Sequence, residues 1–358
     1  MSAVHRHGVL VKLSILLTAL GFVQTAAAQE RPMPAGTPLP DYAQVRPTDG
    51  GAGLALRAGL VDNNLPNIML TGYWPPTNEM LRRFSPSLTQ NPEGWIGENW
   101  EGRGYNIYAF FPEFPNGMGK GEGDFEVDYQ DTSADFWYYT AALQPIAVMT
   151  YGRAADDTTW QVEMRQRNLP WHMWLDDYLA PVKPTPAPPD SSAPPSYVRY
   201  SSLPVDDIAA AVNAANLGIT AYVDTVDFCG EFLCEYVAYH GVWYHGLHMD
   251  PLDPASVWAA GHIHVGGLVS LAGATEAAKI SLRQTIASID WQRYLPGDLN
   301  CDLMADFGDI NPFVLRLSNP DAYQALYPRC LNANGDINAD GAVNFGDINP
   351  FVTLLTNP

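Results

Sequence analysis

Residues 297–320 and 335–358 align with each other without a gap, and this duplication constrains the chain more than any other feature. Gly297-Asp-Leu-Asn-Cys-Asp returns as Gly335-Asp-Ile-Asn-Ala-Asp, and Phe-Gly-Asp-Ile-Asn-Pro-Phe-Val occurs in both copies. Oxygen-bearing side chains fall at loop positions 1, 3, 5, 9 and 12. They are Asp298, Asn300, Asp302, Asp306 and Asp309 in the first copy, and Asp336, Asn338, Asp340, Asn344 and Asp347 in the second. Position 7 adds the backbone carbonyls of Met304 and Ala342. So many hard oxygens at this spacing suit Ca2+, and two calcium sites are expected. Gly341 takes the sharp-turn position of the second loop, whereas Leu303 stands there in the first, which predicts a weaker first site. Asn311-Pro312 and Asn349-Pro350 read as N-cap and first residue of one short helix per loop.

The other end of the chain reads as a processing segment. Arg6 and Lys12 precede an apolar run from Leu13 to Val23, and Ala26-Ala27-Ala28 offers a cleavage site before Gln29. Residues 1–28 are therefore expected to be a secretory signal, with the mature chain secreted, periplasmic or held at the cell surface. No later stretch reaches the roughly 18 apolar residues of a membrane span. The 39 Asp+Glu against 19 Lys+Arg give a net charge of −20, which disfavours nucleic acid, since phosphate binding rests on Lys and Arg. The four cysteines of an exported chain fall into two sets, Cys301 with Cys330 and Cys229 with Cys234, and pairing within each set is open.

Between these ends, short apolar runs alternate with helical patterns. Residues 29–64 form a Pro/Gly-rich leader without periodicity. Strands are expected at Asn67–Gly72, Pro145–Thr150, Thr159–Arg167, Ile219–Thr225 and Trp258–Val265, and helices at Asp135–Leu143, Asp206–Leu217 and Gly273–Ile289. Residues 91–129 read as irregular surface. Seven prolines between Pro181 and Pro195 predict an extended, solvated stretch, either a linker or an insertion at 181–196. The alternation argues for an α/β domain over residues 65–292, a largely parallel twisted sheet covered on both faces as a three-layer α/β/α sandwich. A small all-α module at 295–358 follows.

Chemistry in such sheets gathers at strand C-terminal ends. There an extended run feeds Cys229-Gly230 and then an amphipathic helix expected from about Glu231, with Cys234 in its first turn. Free N–H groups and the dipole favour an anion at that position by about 0.3–1 kcal/mol, too little to ionise a thiol without a base. His264, closing the apolar strand Gly261-His-Ile-His-Val265, is the candidate base. His262 is expected to point away from it, so that only one of the two faces the site and no histidine-pair metal site forms.

Four blocks in order resemble pyroglutamyl peptidase type I, or pyrrolidone carboxyl peptidase, an α/β thiol peptidase family. They are Ile68-Met-Leu-Thr-Gly72, Val162-Glu-Met-Arg-Gln-Arg-Asn168, Tyr200 through Gly230-Glu-Phe-Leu-Cys234, and Ala260-Gly-His-Ile-His-Val265. The resemblance implies a triad of Cys234, His264 and Glu163, with no cofactor for catalysis and a peptide or small amide as substrate. It selects His264 over His262. Tyr73 and Trp74, in the loop where the family offers phenylalanines, and Gly230 are the candidate substrate contacts. Arg153-Ala-Ala-Asp-Asp157 replaces the family's glycine-rich stretch, and Cys229 stands where alanine is usual.

The duplicated C-terminal loops resemble a type I dockerin, which implies binding to a cohesin-like or cell-surface protein. The loop positions 10 and 11 that help read a cohesin are Phe-Gly in both copies. Two functions from different classes follow. One is a secreted cysteine peptidase releasing N-terminal pyroglutamyl or a related small acyl group. The other is a non-catalytic surface protein built on a degenerate peptidase fold and anchored by its calcium module.

Overall fold

The computed structural model describes residues 31–356 apart from 44–45, 47–50, 58, 62 and 227–228. The expected signal segment lies outside the described residues. In chain order the strands are β1 (Asn67–Thr71), β2 (Asn106–Phe110), β3 (Pro112–Glu113), β4 (Glu122–Gly123), β5 (Ala147–Arg153), β6 (Thr159–Glu163), β7 (Arg165–Arg167), β8 (Val198–Tyr200), β9 (Thr220–Asp224) and β10 (Ala259–Val265). The helices are α1 (Ala52–Arg57), α2 (Thr77–Leu81), α3 (Tyr129–Leu143), α4 (Val205–Ala214), α5 (Leu233–Leu247), α6 (Leu271–Arg293), α7 (Ile310–Ser318), α8 (Pro320–Leu326) and α9 (Ile348–Thr356).

The main sheet has the order β2-β1-β5-β10-β6-β9. Its first four strands run parallel, β6 is antiparallel to β10, and β9 is parallel to β6. Side chains alternate across it with a period of two. Ile68, Leu70, Met149, Tyr151, Val162 and Ile263 pack beneath α4 and α6. Met69, Phe110, Val148 and Ala260 face α3 and α5, with Phe136, Tyr139, Phe232 and Tyr236. The sheet is thus mixed, mostly parallel and covered on both faces.

Local chemistry explains where the observed elements depart from the expected ones. Helix α3 begins at Tyr129, six residues before the expected start, because the Asp128 side chain accepts from the N–H groups of Gln130 and Asp131. The stretch 159–167 is not one strand: β6 stays in the main sheet while β7 leaves it to pair with β8. Strand β2 lies in a region read as irregular, and all five of its residues are buried at the sheet edge. The leader is not loose over its described part. Ala52 is fully buried, Gly53 N–H donates to Asp124 Oδ2 at 3.0 Å, and Met33 and Leu39 pack on the α5-side core.

The proline-rich stretch is largely exposed, as its composition predicts, but it is anchored at a buried point. Asp190, fully buried, accepts from Arg199 Nη2 (2.9 Å), the Tyr239 hydroxyl (3.0 Å) and Ser192. Asn168 donates to the Asp190 and Ala193 carbonyls. The stretch is therefore an insertion pinned against α5. Its prolines fix the chain while one buried carboxylate supplies the contacts that an apolar segment would otherwise make.

Beyond α6, Leu299, Phe313, Tyr323, Cys330 and Phe351 form a small separate core, and Cys301 is disulfide-bonded to Cys330. Arg329 ties this part to the sheet domain through the carbonyls of Gln144 (3.2 Å) and Ser256. Asn311 and Asn349 are not the N-caps. Asp306 and Asn344 cap short 3-10 turns that lead into α7 and α9, each in a capping box with Asp309 or Asp347.

Asp190→Ala is expected to lower unfolding free energy by about 2–4 kcal/mol, because it strands the Arg199 guanidinium and the Tyr239 hydroxyl. Chemical denaturation checks this, and a loss under about 0.5 kcal/mol would mean the insertion is not anchored here.

Candidate active site

The α5-side face of the sheet turns polar where β5, β10 and β6 meet. Thr150 and Gly152 of β5, His262 and His264 of β10, and Gln161 and Glu163 of β6 replace the apolar residues that line this face elsewhere. The register places His262 between Thr150 and Glu163, and His264 between Gly152 and Gln161. The expectation that the two histidines point apart is wrong. Residues two apart on a strand share a face, and the rings stand 4.7 Å apart in a T-shaped pair.

Each ring is held through Nδ1. His264 Nδ1 donates to Glu163 Oε1 at 2.7 Å, reaching diagonally across from β10 to β6. His262 Nδ1 lies 2.8 Å from the Thr150 hydroxyl, which itself donates to the Gly261 carbonyl at 3.2 Å. A hydroxyl has one proton, so it accepts from His262, and Nδ1 of that ring carries the hydrogen. His262 is fully buried, and burial, then the neighbouring His264, hold its pKa well below the ordinary imidazole value. It is neutral at physiological pH.

Cys234 is the second residue of α5, as the sequence placed it, although the helix starts at Leu233 rather than Glu231. Phe232 is its N-cap, and no side chain caps the first turn. The sulfur sits directly over Gly152, the register partner of His264. A Cβ at Gly152 would come within 1.9 Å of Cys234 Sγ and 3.0 Å of His262 Nε2. Only glycine leaves room for the thiol at that point of the sheet. Cys234 and Cys229 are both buried within one apolar cluster, and neither is in a disulfide.

The two thiols are in different surroundings. Burial, and then the carboxylates of Glu163 and Glu235, push the Cys229 thiol well above its ordinary pKa. It is held as the neutral thiol, whereas Cys234 lies in the helix turn that favours an anion. Glu235, the next residue, is fully buried and pushed up to about 8, chiefly by burial. Its carboxyl accepts from the backbone N–H groups of Arg167 and Cys229, tying β7 and the turn before the helix together.

The candidate substrate contacts are disposed differently. Tyr73 and Trp74 are enclosed in the α5-side core: the Tyr73 hydroxyl meets Thr132 at 2.9 Å, and Trp74 Nε1 donates to the Gly119 carbonyl at 2.9 Å. Trp74 also stacks on Phe232 at 6.1 Å between centroids, which places it against the entry of α5. Gly230 has φ +92°, and its carbonyl accepts from Arg167 at 3.1 Å. Sequence reading missed Thr150, Gly152, His262 and Glu235. The period-two rule could have placed the first three beside His264.

In the C-terminal loops the two copies repeat the same hydrogen bonds. Asp309 accepts from Leu299, Asn300 and Asp306, as Asp347 does from Ile337, Asn338 and Asn344. Asp298 accepts from Asp302 and Leu303, as Asp336 does from Asp340 and Gly341. Leu303 (φ +70°) and Gly341 (φ +88°) share a left-handed backbone that costs a non-glycine residue about 1–2 kcal/mol. The Asp306 and Asn344 side chains at position 9 are engaged as caps on Gly308 and Gly346. The Ala342 carbonyl accepts from Asn344.

No protein-family model matches the chain, and no curated protein matches it. Among solved structures it is similar to the pyrrolidone carboxyl peptidase from Thermococcus litoralis, at 16% identity and TM-score 0.45, over 64% of this chain and 97% of that one. It is also similar to the pyroglutamyl peptidase I from Bacillus amyloliquefaciens (17%, TM-score 0.44, 62% and 95%). The corresponding peptidase from Pyrococcus furiosus gives 15%, TM-score 0.44, 62% and 99%.

Glu235 yields a stability prediction. Its folded pKa of about 8 lies above the ordinary 4.5, so between these values the folded protein holds a proton that the unfolded chain has released. Stability falls as pH rises through that window, by up to about 1.4 kcal/mol per unit. Glu235→Gln removes the slope: its melting temperature should match the parent near pH 5 and exceed it near pH 8. Equal slopes for the two proteins would contradict this.

Proposed function

We propose that the chain is a cysteine peptidase that cleaves the amide bond after an N-terminal pyroglutamyl or related small acyl group. The observation that carries this reading is the Glu163–His264 hydrogen bond, set on the sheet face beneath the first turn of α5 with Cys234 Sγ over the adjoining Gly152. The four sequence blocks support the same assignment of roles.

Glu163 holds the tautomer of His264 with Nδ1 protonated, so that Nε2 takes the Cys234 proton and the imidazolium is balanced by the carboxylate. The thiolate adds to the scissile carbonyl carbon. The resulting oxyanion is met by the uncapped N–H groups at the start of α5. The C–N bond then breaks as the imidazolium returns the proton to the amine, leaving a thioester. Imidazole next deprotonates a water that attacks the thioester, and the acid leaves as Cys234 recovers its proton.

The C-terminal loops are proposed to hold two Ca2+ ions, with Asp298, Asn300, Asp302 and Asp309 in one and Asp336, Asn338, Asp340 and Asp347 in the other, together with the carbonyls of Met304 and Ala342. The donor set fits: all the ligands are hard oxygens, and the Asp298 carboxyl is pushed up to about 6 by burial and by Asp309, a strain that a dication relieves. Phe307 and Phe345 are exposed in equivalent positions, as are Val314 and Val352, which gives the module two like apolar faces for a cohesin-like or cell-surface partner. Export through residues 1–28 is part of the same reading.

Turnover of a pyroglutamyl amide by the reduced, calcium-loaded protein tests the reading. Cys234→Ser should lose at least about 1000-fold in kcat/KM, and Glu163→Gln on the order of 100-fold or more. Undiminished turnover by Cys234→Ser would remove the mechanism. For the loops, calcium at about 100 times its Kd should add on the order of 2.7 kcal/mol to the stability of the module, lost on chelation. The Asp309→Ala, Asp347→Ala double variant should show no calcium-dependent rise in melting temperature, and a melting temperature indifferent to calcium in the parent would sink the assignment.

A further inference from the structure

Three buried side chains at the site make a second donor set. The Cys229 sulfur and one nitrogen each from His262 and His264 all lie within 4.8 Å of one another. Both rings are anchored through Nδ1 to an oxygen partner, His262 to Thr150 and His264 to Glu163. Metal-bound histidines are held in the same way, with the second nitrogen oriented by a carboxylate or other oxygen and Nε2 given to the ion. His262 Nε2 is fully buried and has no hydrogen-bond partner, an unusual state for a polar atom inside a protein.

We propose that Cys229, His262 and His264 bind a thiophilic divalent ion of the Zn2+ class, and that the bound ion switches off the thiol chemistry at Cys234. One sulfur and two imidazoles are a zinc donor set, and a tetrahedral ion keeps a fourth position for water or for Cys234. Binding exchanges the Cys229 S–H bond for a sulfur–metal bond and releases one proton to solvent. It also occupies the imidazole that must receive the Cys234 proton. The inhibition, though not the binding, rests on the peptidase reading above.

Co2+ titration of the full-length, calcium-loaded protein, with Cys229 and Cys234 as thiols and the Cys301–Cys330 disulfide intact, tests binding directly. Oxygen-ligated loops give no sulfur-to-cobalt charge-transfer absorption, so that band reports this site alone. One equivalent of Co2+ should produce the band together with the visible absorption of a tetrahedral ion. Cys234→Ser should keep the band. Cys229→Ala should lose it, and His262→Phe should weaken binding at least tenfold, with circular dichroism confirming that each variant is folded. No band in the parent, or a band lost in Cys234→Ser and kept in Cys229→Ala, would overturn the site. Zn2+ should abolish pyroglutamyl amide turnover by the parent and inhibit Cys229→Ala at least tenfold less well. A parent that binds Co2+ without any turnover would remove the peptidase reading and leave the metal site. A parent whose turnover survives saturating Zn2+ would remove the inhibition.

Discussion

Glu163 and His264 sit on neighbouring antiparallel strands and are not register partners, so their 2.7 Å hydrogen bond forms only because both face α5 and reach diagonally toward one another. That contact depends on the unusual polarity of β6. Were β6 parallel to β10, the register would differ and the carboxylate would meet a different residue. The bond fixes which imidazole nitrogen carries the proton, and the ring in turn fixes where a thiol is useful. Gly152 then decides that the thiol can be there at all, since any side chain at that position would collide with Cys234 Sγ. The polar patch, the missing side chain and the helix entry are one construction.

Burial gives that construction its electrostatic character. His262, Cys229 and Glu235 are each driven toward the neutral form by desolvation, and each is fully enclosed. Burial keeps the Cys229 thiol protonated until a metal displaces its proton, and leaves the His262 Nε2 lone pair without a hydrogen-bond partner. On the proposed reading, thiol chemistry at Cys234 and capture of a metal by Cys229, His262 and His264 share the His264 imidazole, so the two uses exclude each other in time.

Much of the sheet could be read from sequence, because β1, β5, β9 and β10 are short apolar runs bounded by glycine, proline or turn residues. The helix carrying Cys234 was placed to within two residues by its apolar spacing. Strand β2 was hidden because Asn106–Phe110 lies among glycines and aromatics that make no periodic pattern by themselves, and it is a strand only through pairing with β1. The anchor of the proline-rich insertion was hidden for a related reason. Composition predicts exposure, and most of the stretch is exposed, but the buried carboxylate of Asp190 finds Arg199 and Tyr239, which no local rule foresees. His262 and His264 stand two residues apart on one strand and therefore share a face, a relation the sequence itself carries. The duplication of the C-terminal loops is legible because their spacing is local, whereas the capping roles of Asp306 and Asn344 emerge only with the backbone in hand.

The central claim is that Cys234, and not its neighbour Cys229, is the sulfur presented to substrate by the His264–Glu163 pair. The most direct measurement is to treat the reduced protein with a pyroglutamyl chloromethyl ketone and map the adduct by peptide mass spectrometry. The account predicts one equivalent on Cys234, formed in the parent and lost when His264 is replaced by alanine. An adduct on Cys229, or labelling of Cys234 indifferent to His264, would contradict it.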